Sequence, residues 1–282
     1  MNPVLGIARD VAALRARVRD WRGQGASVGL VPTMGALHDG HLALIRRSLA
    51  TTARTCVTLF VNPKQFGPNE DFARYPRDEA RDLTLIEKAG AHLVFAPSVA
   101  EMYPNGHRTG VTVTGLGDTL EGEFRPGFFA GVATVVTKLL LQALPDVAFF
   151  GEKDYQQLLV IRRLARDLDV PVEIVGVPTV READGLALSS RNAYLSASER
   201  TIAPALHRVI AEAARNVAAG RPAPAEESRA MQALREAGFG KVDYVAVRDA
   251  ETLEVPGPAT RSRRVLAAAW LGKTRLIDNV AA

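Results

Sequence analysis

Two histidines three positions apart, His38 and His41, mark the part of the sequence best suited to chemistry. The apolar run at residues 28–31 predicts a buried strand before them, and residues 42–47 have the apolar spacing of a helix after them. In open α/β sheets, ligands bind at the carboxyl ends of the strands. Amide groups at a helix N-terminus, together with two imidazoles, suit a polyphosphate. A His-x-x-His pair is also typical of a solvent-facing helix or of part of a metal site, and the pair alone leaves these alternatives open.

A second candidate loop, residues 62–68, follows the apolar run at residues 55–61. Asn62 and Gln65 offer two side-chain amides there. Amides carry both donors and an acceptor, so they bind hydroxyl groups and carboxylates. The alternative is a Pro- and Gly-rich turn whose amides only bond to backbone.

Charged and hydroxyl side chains follow two further predicted elements, the strand at residues 147–150 and the hairpin at residues 180–188. Lys153 is suited to a phosphate as a point charge, and an anionic ligand would relieve the unfavourable position of a cation beside a helix N-terminus. Asp154 has the alternative role of a helix N-cap. Ser189, Ser190 and Arg191 suit phosphate oxygens, or form a loop that caps a helix.

A glycine-rich stretch at residues 121–132 carries Arg125, which either contacts phosphate or pairs with Glu121 or Glu123. The sequence shows no zinc-ligand spacing, Walker loop or G-x-G-x-x-G motif. The lone cysteine, Cys56, lies in an apolar run and is predicted to be a small buried residue rather than a nucleophile.

Strands and helices are predicted to alternate over residues 1–178, which indicates right-handed crossovers and a parallel sheet of the α/β class. The predicted strands are residues 28–31, 55–61, 91–95, 111–113, 147–150 and 172–177, and the predicted helices are residues 9–24, 42–52, 77–89, 131–143 and 155–168. Residues 179–282 are predicted to form a smaller α+β domain. Its elements are a hairpin at residues 180–188, helices at 198–218 and 225–236, and strands at 242–247 and 264–270.

The overall composition restricts the class of protein. The chain has 282 residues, a net charge of +4 and a pI near 9.4, which is typical either of a mildly basic surface or of a protein with an anionic substrate. It lacks a basic block with interleaved aromatics, so nucleic acid is not expected as a partner. It also lacks an apolar run of roughly 18 residues, so no membrane partner is expected. One cysteine excludes an internal disulfide, and residues 1–4 do not begin a signal peptide, so we expect a cytoplasmic protein.

Seven motifs spread over nearly the whole chain resemble the pantothenate synthetase family of pantoate–β-alanine ligases. This family belongs to the wider superfamily of HxGH nucleotidylyltransferases and class I aminoacyl-tRNA synthetases. The motifs are residues 32–41, 60–63 with 65–68, 75–77, 101–104, 125–127, 150–154 with 156–157, and 177–192. The chain departs from the family pattern at Asp39, where glutamate is usual, and at Phe128, where histidine is usual. The resemblance is weaker beyond about residue 200.

The resemblance implies a Rossmann-like catalytic domain, residues 1–178, and a C-terminal domain, residues 179–282, that covers the active site. It implies ligation of D-pantoate and β-alanine with ATP through pantoyl adenylate, with release of AMP and pyrophosphate. It also implies Mg²⁺ with the triphosphate and a homodimer. Asp82 is a candidate metal ligand.

The resemblance also implies the site residues. His38, His41 and Lys153 are the expected catalytic residues. The residues expected to bind ATP are Met34, Gly35, Ala36, Leu37, His38, Asp39, Gly40, His41, Gly151, Glu152, Lys153, Asp154, Val180, Leu188, Ser189, Ser190 and Arg191. The residues expected to bind pantoate or β-alanine are Gln65, Gln157, Asn62 and Met34.

Two alternatives stay open at this point. One is a nucleotidylyltransferase that stops at the nucleotidylated product. The other is a nucleic-acid-binding module related to synthetases, which would require a basic face or a larger second domain.

Overall fold

The computed structural model describes residues 5–67, 70 and 72–282. Pro68, which belongs to one of the motifs, and residues 1–4, which bear on the signal peptide, lie outside the described residues. The chain divides into two compact units. Unit 1 comprises the described residues up to Glu152 together with Val160–Pro178, and unit 2 comprises Lys153–Leu159 together with Thr179–Ala282.

Unit 1 is built on a parallel sheet in which the described residues form six strands, in the order β1-β4-β3-β2-β5-β6. The strands are β1 Gly6–Ala8, β2 Val28–Thr33, β3 Arg54–Leu59, β4 Leu93–Phe95, β5 Val147–Gly151 and β6 Glu173–Val177. The helices that connect them are α1 Val11–Gly23, α2 Asp39–Thr51, α3 Glu79–Ala89, α4 Val99–Met102, α5 Glu121–Phe124, α6 Phe128–Ala143 and α7 Tyr155–Asp167, of which α7 starts in the range of unit 2. This confirms the predicted α/β class.

A row of three valines ties the centre of the sheet to the helices above it. Val31, Val57 and Val94 are neighbours across β2, β3 and β4, and all three are fully buried. Ile45 of α2 and Ile86 of α3 belong to the same core cluster. Burying each such side chain contributes roughly 1.5–3 kcal/mol, so this cluster holds α2 and α3 against the sheet.

One predicted strand of unit 1 is wrong. Residues 111–113 are not in a strand, and the backbone N–H of Val111 donates instead to the hydroxyl of Thr134 on α6, at 3.0 Å. The β-branched residues of this segment favour an extended chain, but they find a helix side chain as partner rather than a neighbouring strand.

Unit 2 contains an antiparallel sheet, β7 Lys241–Asp249, β8 Arg263–Leu271 and β9 Thr274–Ala281, in that order. Its helices are α8 Ala197–Ile202, α9 Ala205–Ala218 and α10 Ala223–Glu236. The single helix predicted at residues 198–218 is wrong, because Pro204 has no N–H to continue the bonding pattern of α8 and instead precedes α9. The predicted hairpin is confirmed by the Leu188 N–H, which donates to the Val180 carbonyl at 3.0 Å. The sequence analysis did not predict β9.

No helix among the described residues is both long and apolar enough to cross a membrane.

We predict that Gly29→Ala destabilises the protein by about 1–3 kcal/mol, the usual effect of overpacking a core. A Cβ at Gly29 would lie 2.2 Å from the Ser48 hydroxyl oxygen and 2.6 Å from that of Thr52, where α2 packs on β2. Gly23, at the end of α1, is the matched control, because a Cβ there meets no atom within 4 Å. Thermal and urea unfolding of both variants provide the measurement. Equal stability of Gly29→Ala and Gly23→Ala would contradict the tight packing of α2 on β2.

Candidate active site

The loop between β2 and α2 is held by the carboxylate of Asp82, which lies on α3. One oxygen of this carboxylate accepts the N–H of Ala36 and the other accepts the N–H of Leu37, each at 2.8 Å. Gly35 and Ala36 have φ angles of 83° and 52°, a left-handed conformation that is costly for alanine. The hydroxyl of Thr33 accepts the N–H of Gly35 at 3.2 Å. The loop is therefore held in a conformation that is unfavourable at Ala36.

The two histidines form a reciprocal cap at the start of α2. The Nδ1 of His38 accepts the N–H of Gly40 at 3.1 Å, and the Nδ1 of His41 accepts the N–H of His38 at 3.4 Å. The ring centroids lie 4.2 Å apart, so the structure brings the two imidazoles together. Because each Nδ1 accepts, each neutral ring carries its proton on Nε2 and is a donor there.

Asp82, the candidate magnesium ligand, is buried, with 2% of its surface exposed. Burial raises the pKa of its carboxyl group, and the hydrogen bonds from Leu37 and Ala36 act in the opposite direction. No group of three or more His, Cys, Asp or Glu in the described part of the chain is arranged to hold a metal ion. In this structure Asp82 anchors the loop, and its role as a metal ligand stays a prediction.

The amide loop that follows β3 is buried and closely bonded. Asn62 donates to the Oε1 of Gln65 and to the carbonyl of Gly131, both at 3.1 Å. Its own oxygen accepts the hydroxyl of Tyr103 at 2.8 Å. The Nε2 of Gln65 lies 2.9 Å from the sulfur of Met34, which belongs to the loop held by Asp82. Three of the residues predicted to bind substrate, Asn62, Gln65 and Met34, are thus in contact.

Arg125 is engaged by an acidic residue that the sequence analysis did not consider. It forms a bidentate pair with Glu70, at 2.7 and 2.5 Å, and lies 3.9 Å from Glu121. Its guanidinium stacks on the ring of Phe128, 3.7 Å from the centroid. Phe128 therefore supports Arg125 at the position where the family usually has histidine.

Cys56 lies in β3 and is fully buried, as predicted. Burial raises the pKa of its thiol to about 12. The thiolate is the nucleophilic form of cysteine, so Cys56 is unsuited to covalent catalysis.

Lys153 lies in unit 2, directly after Gly151 and Glu152 in the chain. Its carbonyl accepts the side-chain amide of Asn279 on β9 at 2.9 Å, and its ammonium lies 3.6 Å from the carboxylate of Asp154. About a fifth of its side chain is exposed, against nearly half for Asp154. Its backbone is thus fixed from β9, while its ammonium lies beside a carboxylate that is well exposed to solvent.

The hairpin that begins at Val180 is attached to β9 as well. Arg181 forms a bidentate pair with Asp278, at 2.6 and 2.9 Å, and also donates to the carbonyl of Asn279 at 3.3 Å. Burial alone would raise the pKa of Asp278, but hydrogen bonds from His207 and Arg181 outweigh it and hold that pKa low.

The predicted phosphate loop continues from this hairpin. After Leu188, the hydroxyl of Ser189 accepts the N–H of Arg191 at 3.2 Å and caps the 3₁₀ turn Ser190–Tyr194. Ser189 therefore has the capping role left open by the sequence, and Ser190 and Arg191 lie in the first turn.

The predicted site residues fall into both units. Unit 1 holds residues 34–41, Asn62, Gln65, Asp82, Gly151 and Glu152, and unit 2 holds Lys153, Asp154, Gln157, Val180 and residues 188–191. Three residues of the supporting framework were missed: Tyr103, Asp278 and Asn279. For Tyr103 the signal was its place in the motif at residues 101–104. For Asp278 and Asn279 the sequence gives no such signal, because residues 274–281 do not alternate between apolar and polar side chains.

Comparison with known proteins shows which family the chain belongs to. Residues 6–281 match the family model described as pantoate-beta-alanine ligase. The chain is 60% identical over 280 residues to the pantothenate synthetase of Paramagnetospirillum magneticum, and the match covers 99% of both chains.

Two solved structures share the fold over nearly their full length. Pantothenate synthetase from Thermus thermophilus has a TM-score of 0.92 and 48% identity, covering 98% of each chain. Pantoate-beta-alanine ligase from Francisella tularensis, complexed with β,γ-ATP and β-alanine, has a TM-score of 0.83 and 31% identity, covering 99% of this chain and 98% of that one. The chain therefore belongs to the pantoate–β-alanine ligase family, which confirms the predicted ligase over a nucleotidylyltransferase that stops at the nucleotidylated product.

Proposed function

We propose that the chain joins D-pantoate to β-alanine in two steps that consume ATP. A carboxylate oxygen of pantoate attacks the α-phosphorus, and the bond to pyrophosphate breaks. The amine of β-alanine then attacks the acyl carbon of pantoyl adenylate, loses a proton, and AMP leaves with the electron pair of the C–O bond. The observation that carries this proposal is the loop of residues 34–41, held by Asp82 with two imidazole donors at a helix N-terminus.

The Nε2–H groups of His38 and His41 donate to phosphate oxygens of ATP, and His41 also donates a proton during adenylate formation. The backbone of residues 34–41 lines the ATP site, where N–H groups at the start of α2 favour negative charge. A helix N-terminus is suited to the charge that grows on the phosphates in the transition state. The Francisella tularensis relative complexed with β,γ-ATP supports ATP as the nucleotide.

Further phosphate contacts are assigned to polar and positively charged groups of unit 2. Lys153 neutralises charge that develops at the α- and β-phosphates, and Ser189, Ser190 and Arg191 close over the triphosphate together with Leu188. The nucleoside is held by Gly151, Glu152, Asp154 and Val180. An ammonium is a compact point charge, whereas a guanidinium offers a planar fork, so the two cations meet different phosphate oxygens.

The uncharged amides bind the organic acid. Gln65 and Gln157 bond to the hydroxyls of pantoate, with Asn62 and Met34 beside Gln65, and Gln65 also reaches β-alanine. No covalent enzyme intermediate is needed in either step, which agrees with the buried state of Cys56. Catalysis then comes from positioning and from charge stabilisation.

Magnesium accompanies the triphosphate and is bound mainly by phosphate oxygens and water, as this ion prefers. The fit to the protein is limited, because both oxygens of Asp82 already accept backbone amides.

We further propose a homodimer in the cytoplasm. Large apolar side chains exposed on unit 1, among them Leu141, Leu144 and Leu168, are available for such an assembly, which sedimentation equilibrium would detect.

The activity is tested by following AMP in a mixture of ATP, pantoate and β-alanine. We expect steady AMP release only when β-alanine is present, and at most a single turnover of pyrophosphate without it. Steady pyrophosphate release with pantoate alone would instead indicate a nucleotidylyltransferase.

We predict that His41→Ala lowers the rate of adenylate formation about 10²–10³-fold, the usual effect of losing one preorganised donor. His41→Gln is the informative companion, because glutamine at this position can keep the reciprocal cap while the imidazole is lost. Pyrophosphate release with ATP and pantoate measures the effect, and melting temperature monitors the fold. Arg46→Ala, an exposed change on the same helix, is the control and should behave as the parent. A drop of less than about fivefold in both His41 variants would remove His41 from the catalytic residues.

We predict that Lys153→Ala impairs adenylate formation far more than amide formation. In the first step pyrophosphate charge builds up, so an ammonium nearby stabilises the transition state more than the ground state. In the second step AMP leaves, with less new charge. Single-turnover rates with ATP and pantoate, and with synthetic pantoyl adenylate and β-alanine, separate the two steps. Lys153→Arg should rescue only partly, since a planar fork is not a point charge. Equal losses in both steps would show that Lys153 supports the whole site instead.

A further inference from the structure

The side-chain amide of Asn62 is fixed in one orientation by four hydrogen bonds. Its oxygen accepts from the hydroxyl of Tyr103 at 2.8 Å and from the backbone N–H of Lys64 at 3.3 Å. Its nitrogen donates to the carbonyl of Gly131 and to the Oε1 of Gln65, both at 3.1 Å. A backbone N–H can only donate and a carbonyl can only accept, so a flipped amide would lose both contacts. With 1% of its surface exposed, Asn62 uses both its donors and both its acceptor positions inside the protein.

This orientation determines which end of Gln65 is available to a ligand. Because the Oε1 of Gln65 accepts from Asn62, its Nε2 is turned to the other side. Within the described part of the chain, this Nε2 donates to the thioether sulfur of Met34, at 2.9 Å. A thioether is a weak acceptor, so a substrate oxygen would be a better partner for the same N–H group. Gln65 therefore presents a hydrogen-bond donor.

Tyr103 is held so that its hydroxyl points at Asn62. Its ring packs against Phe60, with the centroids 6.1 Å apart, and against His107 at 5.0 Å, and the ammonium of Lys64 lies 4.7 Å from the ring centroid. Burial raises the pKa of the phenol to about 12. A phenol is protonated at physiological pH even at its ordinary pKa, and the hydroxyl donates to the Asn62 oxygen.

We propose that Tyr103 is a positioning residue that acts through Asn62 to hold Gln65 with its amino group toward pantoate, so that the pantoate atom bound there is an acceptor oxygen. This inference rests on the proposed contact between Gln65 and pantoate. Asn62 then links Tyr103 to Gln65 in this chain of hydrogen bonds. It determines that Gln65 presents an N–H donor to the substrate, while its own N–H groups are used inside the protein.

A double-mutant cycle on the full-length enzyme tests the chain of hydrogen bonds. Tyr103→Phe keeps the ring and removes only the hydroxyl. We expect it to raise the KM for pantoate about three- to tenfold, the size of one lost hydrogen bond, with the KM for ATP unchanged. In a Gln65→Ala background the same change should have no further effect on the KM for pantoate, because coupled residues are not additive. Arg46→Ala, an exposed change on α2 outside this chain of hydrogen bonds, is the control and should leave the KM for pantoate unchanged.

Gln65→Glu tests whether residue 65 donates a hydrogen bond to pantoate. A carboxylate can accept the Asn62 N–H but has no hydrogen to offer a substrate, so we expect the KM for pantoate to rise at least as much as in Gln65→Ala. A KM close to that of the parent would overturn the assignment of a donor to this position.

The remaining outcomes separate the inference from the function on which it rests. If Gln65→Ala leaves the KM for pantoate unchanged, the proposed contact with pantoate fails and the inference fails with it. In a second case, Gln65→Ala raises the KM for pantoate while Tyr103→Phe has no effect on it, or has an effect that persists fully in the double variant. Either result overturns only the role of Tyr103. A rise in the KM for ATP equal to that for pantoate would show a general structural effect and would also overturn it.

Discussion

One buried carboxylate holds the loop on which the proposed chemistry depends. Asp82 reaches from α3 to two consecutive N–H groups of the loop after β2, and each hydrogen bond is strengthened by the low polarity of the surroundings. These bonds offset the cost of a left-handed Ala36, which is on the order of 1–2 kcal/mol. The conformation that results places His38 as the N-cap of α2, and the cap in turn sets which nitrogen of each imidazole carries the proton. The position of the proton on both rings therefore depends on a residue more than 40 positions away.

Much of this arrangement is written in local patterns. The apolar runs predict the central strands, and the histidines fall between strand and helix at the carboxyl end of the sheet, where parallel strands present their loops. The amide loop and the hairpin at residues 180–188 follow from turn-forming residues. These features depend on neighbours in the chain, and for that reason the sequence predicts them well.

The features that local patterns missed are contacts between distant segments. Asp82 looks like an ordinary acidic residue in the first turn of a helix, and only the fold shows what its oxygens bind. Tyr103 is a loop aromatic until it is seen to donate to Asn62. Arg125 forms its hydrogen-bonded pair with the distant Glu70, and its ion pair with the neighbouring Glu121 is longer, at 3.9 Å. The strand β9 was missed because residues 274–281 do not alternate between apolar and polar side chains and include the polar pair Asp278 and Asn279. These two side chains are buried with partners that unit 2 supplies.

That pair in β9 also bears on how unit 2 responds to a nucleotide. Asp278 pairs with Arg181 of the hairpin, and the side-chain amide of the next residue, Asn279, donates to the carbonyl of Lys153. The proposed phosphate loop and the proposed phosphate cation are thus attached to adjacent positions of a single strand. Since a strand within a bonded sheet is stiff along its length, these contacts restrain the two segments relative to each other. A change in the position of β9 would then affect both the affinity for the triphosphate and the stabilisation of its developing charge.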